Sequence, residues 1–172
     1  LVKLYIQEKY GRTTEIDSKY LTKGKDAEED SLLLLSQYDG IVYNKNEEWL
    51  SNDYISGTPD IYTGESIHNA ETIIDLKTSW NLDSFLTNVS KPLNPMYEAQ
   101  LQCYMALSNS QEAWVVYCLV NTPFNLIESE KKKLLYSMDV VSELSPAYLK
   151  ASTELEYTMT FDDIPENERI LK

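Results

Sequence analysis

Two aspartates and a lysine stand on consecutive strand-like segments, with a spacing that could support metal-assisted chemistry. The first aspartate ends the segment Gly57-Thr58-Pro59-Asp60, and Asp75 and Lys77 lie within the next apolar stretch, at 71–79. Side chains alternate between the two faces of a strand, so Asp75 and Lys77 are expected on the same face. A carboxylate in such a strand is costly to bury without a cation, and a metal ion would supply one.

The donor atoms of this set indicate which metal it would suit. Asp60 and Asp75 offer hard oxygen ligands with no histidine or cysteine nearby, which favours Mg²⁺, with Mn²⁺ as a substitute, over zinc. Such an ion lowers the pKa of a bound water and neutralises charge on a phosphate. Lys77 would then orient or help to deprotonate the attacking water and stabilise the developing charge.

An acid-x-lysine pattern is weak by itself. Asp17-Ser18-Lys19 and Glu130-Lys131-Lys132 fit it equally well, but both lie outside apolar strands and are interpreted as solvated charges. For Asp75 and Lys77 the alternative is a structural ion pair at a sheet edge. The upstream Pro59-Asp60 favours the metal-site interpretation.

Two predicted helices carry further polar side chains towards the same region. Gln100 and Tyr104 are four residues apart and share one helix face; an amphipathic helix with one buried tyrosine is the alternative. On the first predicted helix, Glu28 shares a face with buried leucines and should point towards the sheet. Glu29 is the alternative acid, and a solvated helix carboxylate is the alternative for either.

The elements that must position these residues predict an α/β (α+β) fold, a central mixed sheet flanked by helices. Helices are predicted, in order, over 23–37, with an end near Asp39-Gly40, from Asn94 (N-cap) and Pro95 to about Ser108, over 125–138 and over 145–157. Strands are predicted over 41–45, 52–63, 71–79 and 114–120, with a polar loop over 80–94 and an unstructured tail over 161–172. The length of 172 residues fits one domain, 1–172, with a core at about 20–120 and a C-terminal helical extension at 121–172.

Charge and cysteine content restrict the class of protein. The net charge of −13 argues against a protein that coats nucleic acid, although residues 1–25 carry an excess of +3 and the remainder −16. Cys103 and Cys118 have no metal-binding spacing and are expected in the core, which fits a reducing cytoplasm. No apolar run is long enough for a membrane span, and the N-terminal residues do not resemble a signal peptide.

The order of the four motifs resembles the PD-(D/E)XK nucleases, in the branch that contains lambda exonuclease and the RecB nuclease domain. Those proteins have a helix acid four residues after a glycine, an aspartate that ends a strand, an acid-x-lysine strand and a Gln-x-x-x-Tyr helix. The matching positions are Gly24 with Glu28, Asp60, Asp75 with Lys77, and Gln100 with Tyr104. The resemblance implies a restriction-endonuclease-like core in α-β-β-β-α-β order.

The resemblance also implies a role for each matching residue. Asp60 and Asp75 would bind Mg²⁺, with the Leu76 carbonyl as a third ligand and Glu28 binding directly or through a water. Lys77 would act on the nucleophilic water. Gln100 and Tyr104 would steady the site and the DNA backbone.

The implied activity is a Mg²⁺-dependent deoxyribonuclease of phage type, an exonuclease that resects linear double-stranded DNA from a free end for recombination or repair. A single-strand annealing protein is an implied partner, a ring-like oligomer is known in the branch, and the setting would be the host cytoplasm. No iron-sulfur cluster is expected, since two cysteines are too few. Lys23, Lys25 and Lys91 are either phosphate contacts or solvated lysines. The alternatives are a structure-specific or restriction-type endonuclease, and a catalytically silent acidic protein-binding module.

Overall fold

The computed structural model describes residues 2–12, 18–138 and 142–172. Asp17, part of one of the weak acid-x-lysine matches, lies outside them. The helices are α1 (Val2–Tyr10), α2 (Lys19–Asp26), α3 (Glu28–Asp39), α4 (Leu82–Ser90), α5 (Pro95–Ser108), α6 (Phe124–Ser137) and α7 (Pro146–Tyr157). The strands are β1 (Leu50–Ser51), β2 (Ser56–Gly57), β3 (Ile61–Tyr62), β4 (Thr72–Thr78), β5 (Glu112–Cys118) and β6 (Ile170–Leu171).

A mixed sheet in the order β3-β4-β5-β6 forms the centre of the fold. β4 and β5 are parallel, and in their register Asp75 lies opposite Val115 and Lys77 opposite Tyr117. The edge strands β3 and β6 are antiparallel to their neighbours. A parallel pair needs a long crossover connection, which α4 and α5 provide here. The predicted mixed sheet flanked by helices is therefore confirmed.

The two faces of β4 contact different helices. Ile74 and Leu76 belong to a core cluster with Leu34 and Leu35 of α3. Ile73 belongs to a second cluster against which α5 packs. Because side chains alternate along a strand, Asp75 and Lys77 are on the α5 side, as the sequence predicts.

The single helix predicted over 23–37 is wrong in one respect, since α2 and α3 meet at a break. Ala27, at the break, has φ −107° and ψ 13° and is fully buried. Glu28, Glu29 and Asp30 fill the first turn of α3, where the helix dipole favours negative charge. These acids favour a new helix start over a continuous helix.

The apolar face of α3 is narrower than its four leucines indicated. Leu34 and Leu35 are buried, but Leu33 is 57% exposed. The end of the helix is confirmed: Gly40 follows with a φ of 66°, the left-handed conformation that glycine adopts most readily at this position.

The strands predicted over 41–45 and 52–63 are wrong. No strand forms over 41–45, and the second segment is divided among two short strands, β2 and β3, and the turn before them. The Asn52 side-chain oxygen accepts the backbone N–H groups of Tyr54 at 2.9 Å and Ile55 at 3.0 Å, which makes a tight turn that pairs β1 with β2. Pro59, which has no N–H to donate, separates β2 from β3.

The loop predicted over 80–94 is wrong, because it contains α4. The Asn81 side chain accepts the Ser84 N–H at 2.9 Å, and the Ser84 hydroxyl accepts the Asn81 N–H at 3.0 Å. This reciprocal pair is a capping box. Phe85 anchors the helix in the core, where it is 3% exposed.

The tail is also more ordered than predicted. Ile170 and Leu171 form β6, which extends the sheet beside β5. Phe161 is 3% exposed and packs with Leu119 and Phe85. The predictions of β4, α5, β5, α6 and α7 are confirmed to within two residues at most ends. Within the described ranges, no helix is long and apolar enough to cross a membrane.

Candidate active site

The centre of the candidate site is a buried ion pair on β4. Asp75 is 1% exposed, and its Oδ2 lies 2.6 Å from Lys77 Nζ. Although this contact is close, Oδ2 has no partner with hydrogen-bond geometry within the described part of the chain. Burial raises the pKa of Asp75, an effect that the neighbouring Lys77 partly opposes. The carboxylate is therefore a buried acceptor with unused capacity for a cation.

Residues of α5 position the lysine. The Gln100 side-chain oxygen accepts from Lys77 Nζ at 3.3 Å, and the Gln100 amide donates to the Tyr104 hydroxyl at 2.9 Å. The Lys77 ammonium also lies 4.8 Å from the centre of the Tyr97 ring, within cation–π range. Burial lowers the pKa of Lys77, but attraction to Asp75 outweighs this effect and raises it overall, so the amine is a cation at neutral pH.

Asp60 joins this pair through the backbone of β4. Its Oδ2 accepts the Leu76 N–H at 2.7 Å, which fixes the carboxylate beside the strand that carries Asp75 and Lys77. Burial and the negative charge of Asp75 raise the pKa of Asp60 to about 6. The two aspartates are therefore close enough to repel each other, an arrangement that a divalent cation would stabilise.

Glu28 lies in the first turn of α3, on the Asp60 side of the site. Its Oε1 lies 3.1 Å from Lys45 Nζ, and both residues line a cavity of about 10 Å³ together with Asp60 and Leu76. That volume is roughly the minimum for one water molecule or ion. Glu29, the alternative helix acid, is exposed, although it also lines this cavity.

A magnesium ion fits the aspartate pair better than it fits all three acids together. Among the described residues, no three His, Cys, Asp or Glu side chains converge as a ready-made metal site. Mg²⁺ needs only one or two carboxylates, with waters and phosphate oxygens completing its shell. Asp60 and Asp75 meet that requirement, with Asp75 Oδ2 engaged by the charge of Lys77 and by no described group in hydrogen-bond geometry.

A large cavity opens beside Lys77. It measures about 830 Å³ and is lined by aromatic, basic and neutral polar side chains, among them Tyr20, Trp80, Tyr97, Tyr117, Lys23 and Lys91. Of the described residues that line it, none is an aspartate or a glutamate. A chain with a net charge of −13 therefore has, among its described residues, a large concave surface that carries no negatively charged side chain.

The structure distinguishes among the three lysines considered as phosphate contacts. Lys23 is 1% exposed and donates to the Trp80 carbonyl at 2.9 Å, and burial lowers its pKa to about 7. Lys23 is therefore not a solvated surface lysine, and its ammonium is not free to reach a phosphate. Lys25 is exposed, and Lys91 is exposed and lines the large cavity.

Four site residues were missed by the sequence analysis. Tyr97 precedes Gln100 by about one helical turn and belongs to no motif in the sequence. Trp80 follows β4, and Tyr117 lies on β5 opposite Lys77. The register of β5 against β4 was needed to place Tyr117. Lys45 lies in a loop without a motif, so no sequence signal could have identified it.

The stability of the metal-free protein is expected to depend on the ionisation of Asp60. The unfolded pKa of an aspartate is about 3.9, so with a folded value of about 6 the folded state retains the proton longer. Stability should therefore fall, by on the order of 2 kcal/mol, as the pH rises from about 4 to about 6. Melting temperatures of the protein and of Asp60→Asn, recorded in EDTA from pH 4 to 7.5, test this sign.

Asn at position 60 cannot ionise, so the variant should gain stability relative to the unmodified protein across that pH range. A difference between the two proteins that stays constant with pH would contradict the prediction.

Gly57 is expected to be essential for the position of Tyr104. A Cβ at Gly57 would lie 2.7 Å from Tyr104 Cε1, so Gly57→Ala must displace the ring that carries the Gln100 hydrogen bond. Overpacking of this kind costs about 1–3 kcal/mol, which thermal unfolding would detect.

Two controls accompany this change. Gly24→Ala lies in α2, where a Cβ has nothing within 4 Å, and should be neutral or stabilising. In the Tyr104→Ala background the ring is absent, so Gly57→Ala should cost much less there. Additive effects of the two changes would show that the ring and the glycine are not coupled.

Comparison with known proteins identifies solved structures with a similar fold. The chain matches no protein-family profile and no curated protein. The solved structure of a phage related exonuclease from Haemophilus somnus 129PT aligns with a TM-score of 0.70 and 25% identity, over 99% of this chain and 67% of that one. The chain has the phage-exonuclease fold.

Two structures of LHK-Exo, an alkaline exonuclease from Laribacter hongkongensis, one of them in complex with dAMP, share this phage-exonuclease fold. Each aligns with a TM-score of 0.50 and 19% identity over 91% of this chain, and over 80% and 79% of the LHK-Exo chains. The resemblance to the lambda-exonuclease branch of the PD-(D/E)XK nucleases is thereby confirmed.

Proposed function

We propose that this protein is a metal-dependent DNA nuclease, and within that class an exonuclease that degrades linear double-stranded DNA from a free end. The observation that carries the proposal is the buried Asp75–Lys77 pair on β4, with the Asp60 carboxylate fixed beside it by the Leu76 N–H, in a phage-exonuclease fold. Resection for recombination or repair, and an annealing protein as partner, belong to the same proposal.

The residues that would hold the metal follow from the geometry. Asp60 and Asp75 would bind a Mg²⁺ ion, for which Mn²⁺ could substitute, and the Leu76 carbonyl and Glu28 would be further oxygen ligands. When bound, the ion would neutralise charge on the scissile phosphate and lower the pKa of a water.

Lys77 would provide a fixed positive charge beside the scissile phosphate. Its ammonium is held by Gln100 and stacked near Tyr97, and it would stabilise negative charge on the phosphate as that charge develops. Tyr104 orients the Gln100 amide, so that the Gln100 oxygen faces the lysine. In this arrangement the lysine acts as an electrostatic and water-orienting group.

The large cavity is the surface on which the substrate strand would lie. Lys77 and Lys91 would contact phosphates there, while the rings of Trp80 and Tyr97 offer faces on which bases can stack. The absence of carboxylates among the described lining residues removes the local repulsion that the net charge would otherwise cause. The large cavity therefore offers a polyanion a surface on which it can approach this acidic protein.

The test uses end-labelled linear duplex and closed circular plasmid in Mg²⁺, Mn²⁺ and EDTA, with Lys77→Ala as the inactive control. The expected result is loss of the linear DNA with the circle spared, in either metal but not in EDTA. Cutting of the circle would indicate an endonuclease instead. Intact DNA in every arm would favour an acidic protein-binding module, the class that the net charge of −13 supports.

A further inference from the structure

Lys45 lies where it can influence the proposed metal site, although it belongs to no motif. It is in the loop between α3 and β1, and its Nζ lies 3.1 Å from Glu28 Oε1. The same small cavity of about 10 Å³ is lined by Lys45, Glu28, Asp60 and Leu76. The lysine therefore occupies the side of the site from which Glu28 would approach a metal ion.

Each acid of the site already has a protein partner. Asp75 is 2.6 Å from the Lys77 ammonium, Asp60 accepts the Leu76 N–H at 2.7 Å, and Glu28 is paired with Lys45. These partners differ in accessibility: the Lys77 side chain is 23% exposed, whereas that of Lys45 is 45% exposed. Of these ion pairs, the one at Lys45 is the more easily separated, because water can replace the lost contact.

We propose that Lys45 is a competing counter-cation, which a divalent ion must displace from Glu28 before Glu28 can join the metal ligands. The inference rests on the proposed function, since it assumes that a metal binds at Asp60 and Asp75. Lys45 is a positioning residue in this scheme, because it acts through Glu28. The presence of Lys45 lowers the affinity of the site for the metal. When the metal concentration is low, Lys45 neutralises the negative charge of Glu28.

Two electrostatic effects support this direction. Attraction to Glu28, Asp60 and Glu47 raises the pKa of Lys45. The charge of Lys45 therefore interacts with Asp60 as well as with Glu28. Two cations close to the same carboxylates also repel each other. Removal of the lysine therefore releases Glu28 and removes a repulsive charge at once.

The experiment is a Mn²⁺ titration without DNA, followed by isothermal calorimetry and by the electron paramagnetic resonance signal of free Mn²⁺. Lys45→Met, which keeps the aliphatic stem, is expected to bind Mn²⁺ about twofold to fivefold more tightly than the unmodified protein. Lys150→Met is the matched control, since Lys150 is 80% exposed and its 3.8 Å pair with Glu154 is in α7. It changes the net charge equally but should leave the affinity unchanged.

A double variant separates a specific effect from a general one. In the Glu28→Gln background the amide no longer attracts Lys45, so Lys45→Met should change Mn²⁺ affinity by less than it does alone. Unchanged or weaker Mn²⁺ binding by Lys45→Met, with normal binding by the unmodified protein, would overturn this inference and leave the nuclease proposal intact. If the unmodified protein binds no Mn²⁺, both proposals are wrong.

Discussion

Replacing Lys77 with alanine is expected to slow DNA hydrolysis by about two to four orders of magnitude. The lysine supplies a positive charge that is fixed beside Asp75, through contacts with Asp75 at 2.6 Å and Gln100 at 3.3 Å. Of the other described lysines that line the large cavity, Lys91 is exposed and Lys23 is held by the Trp80 carbonyl, so neither is fixed beside Asp75. Initial rates on end-labelled linear duplex, at saturating metal, measure the effect.

One control variant and a check of folding make the result interpretable. Lys150→Ala removes a lysine that is 80% exposed and should retain the full rate. Lys77→Ala leaves a buried carboxylate without its partner and should lower the melting temperature in EDTA, so circular dichroism must show that the fold is kept. A folded Lys77→Ala protein that degrades DNA at the unmodified rate would exclude the proposed role.

Mg²⁺ or Mn²⁺ is expected to raise the melting temperature by about 3–6 °C when its concentration is ten times its Kd. The reason is that the ion relieves the repulsion between the buried Asp75 and the partly buried Asp60, and binds the folded state alone. Asp75→Ala should abolish the rise completely, since it removes the acceptor Oδ2 that has no hydrogen-bond partner among the described residues.

The variant Asp75→Asn tests the same point with almost no change in shape, and it too should show no metal response. Asp53→Ala is the control, because Asp53 is exposed in the turn between β1 and β2 and should leave the rise unchanged. An undiminished rise in both Asp75 variants would place the metal elsewhere in the protein.

The central strand could be predicted because its signals were local and mutually consistent. An apolar run with Asp75 and Lys77 on one face requires a partner for each charge. Gln100 of α5 is a partner for Lys77. The start of α5 was indicated by Asn94 and Pro95. Parallel pairing with β5 and the aromatic wall of the cavity depend on contacts between distant segments. Tyr117 therefore could not be assigned to the site from its local sequence.

The errors have identifiable physical causes. The segment of α4 was predicted to be a loop because it is rich in polar residues. Asn81 and Ser84 nevertheless form a capping box at its start, and Phe85 packs in the core. Lys23 was treated as a surface residue, because a single lysine has no sequence feature that reveals its burial. The strand predicted over 52–63 is too long because the Asn52 side-chain oxygen accepts the backbone N–H groups of Tyr54 and Ile55, which form a turn in place of strand pairing.

The concentration of positive charge in one cavity has a consequence for how the protein would move along DNA. With Lys77 and Lys91 as the main lysines available there, only a few counterions would be released on binding, so affinity should depend weakly on salt. The remaining acidic surface would repel the duplex beyond the cavity. Such an enzyme is expected to dissociate between successive cuts, and sustained digestion would require it to be held on the DNA by additional subunits or a partner protein.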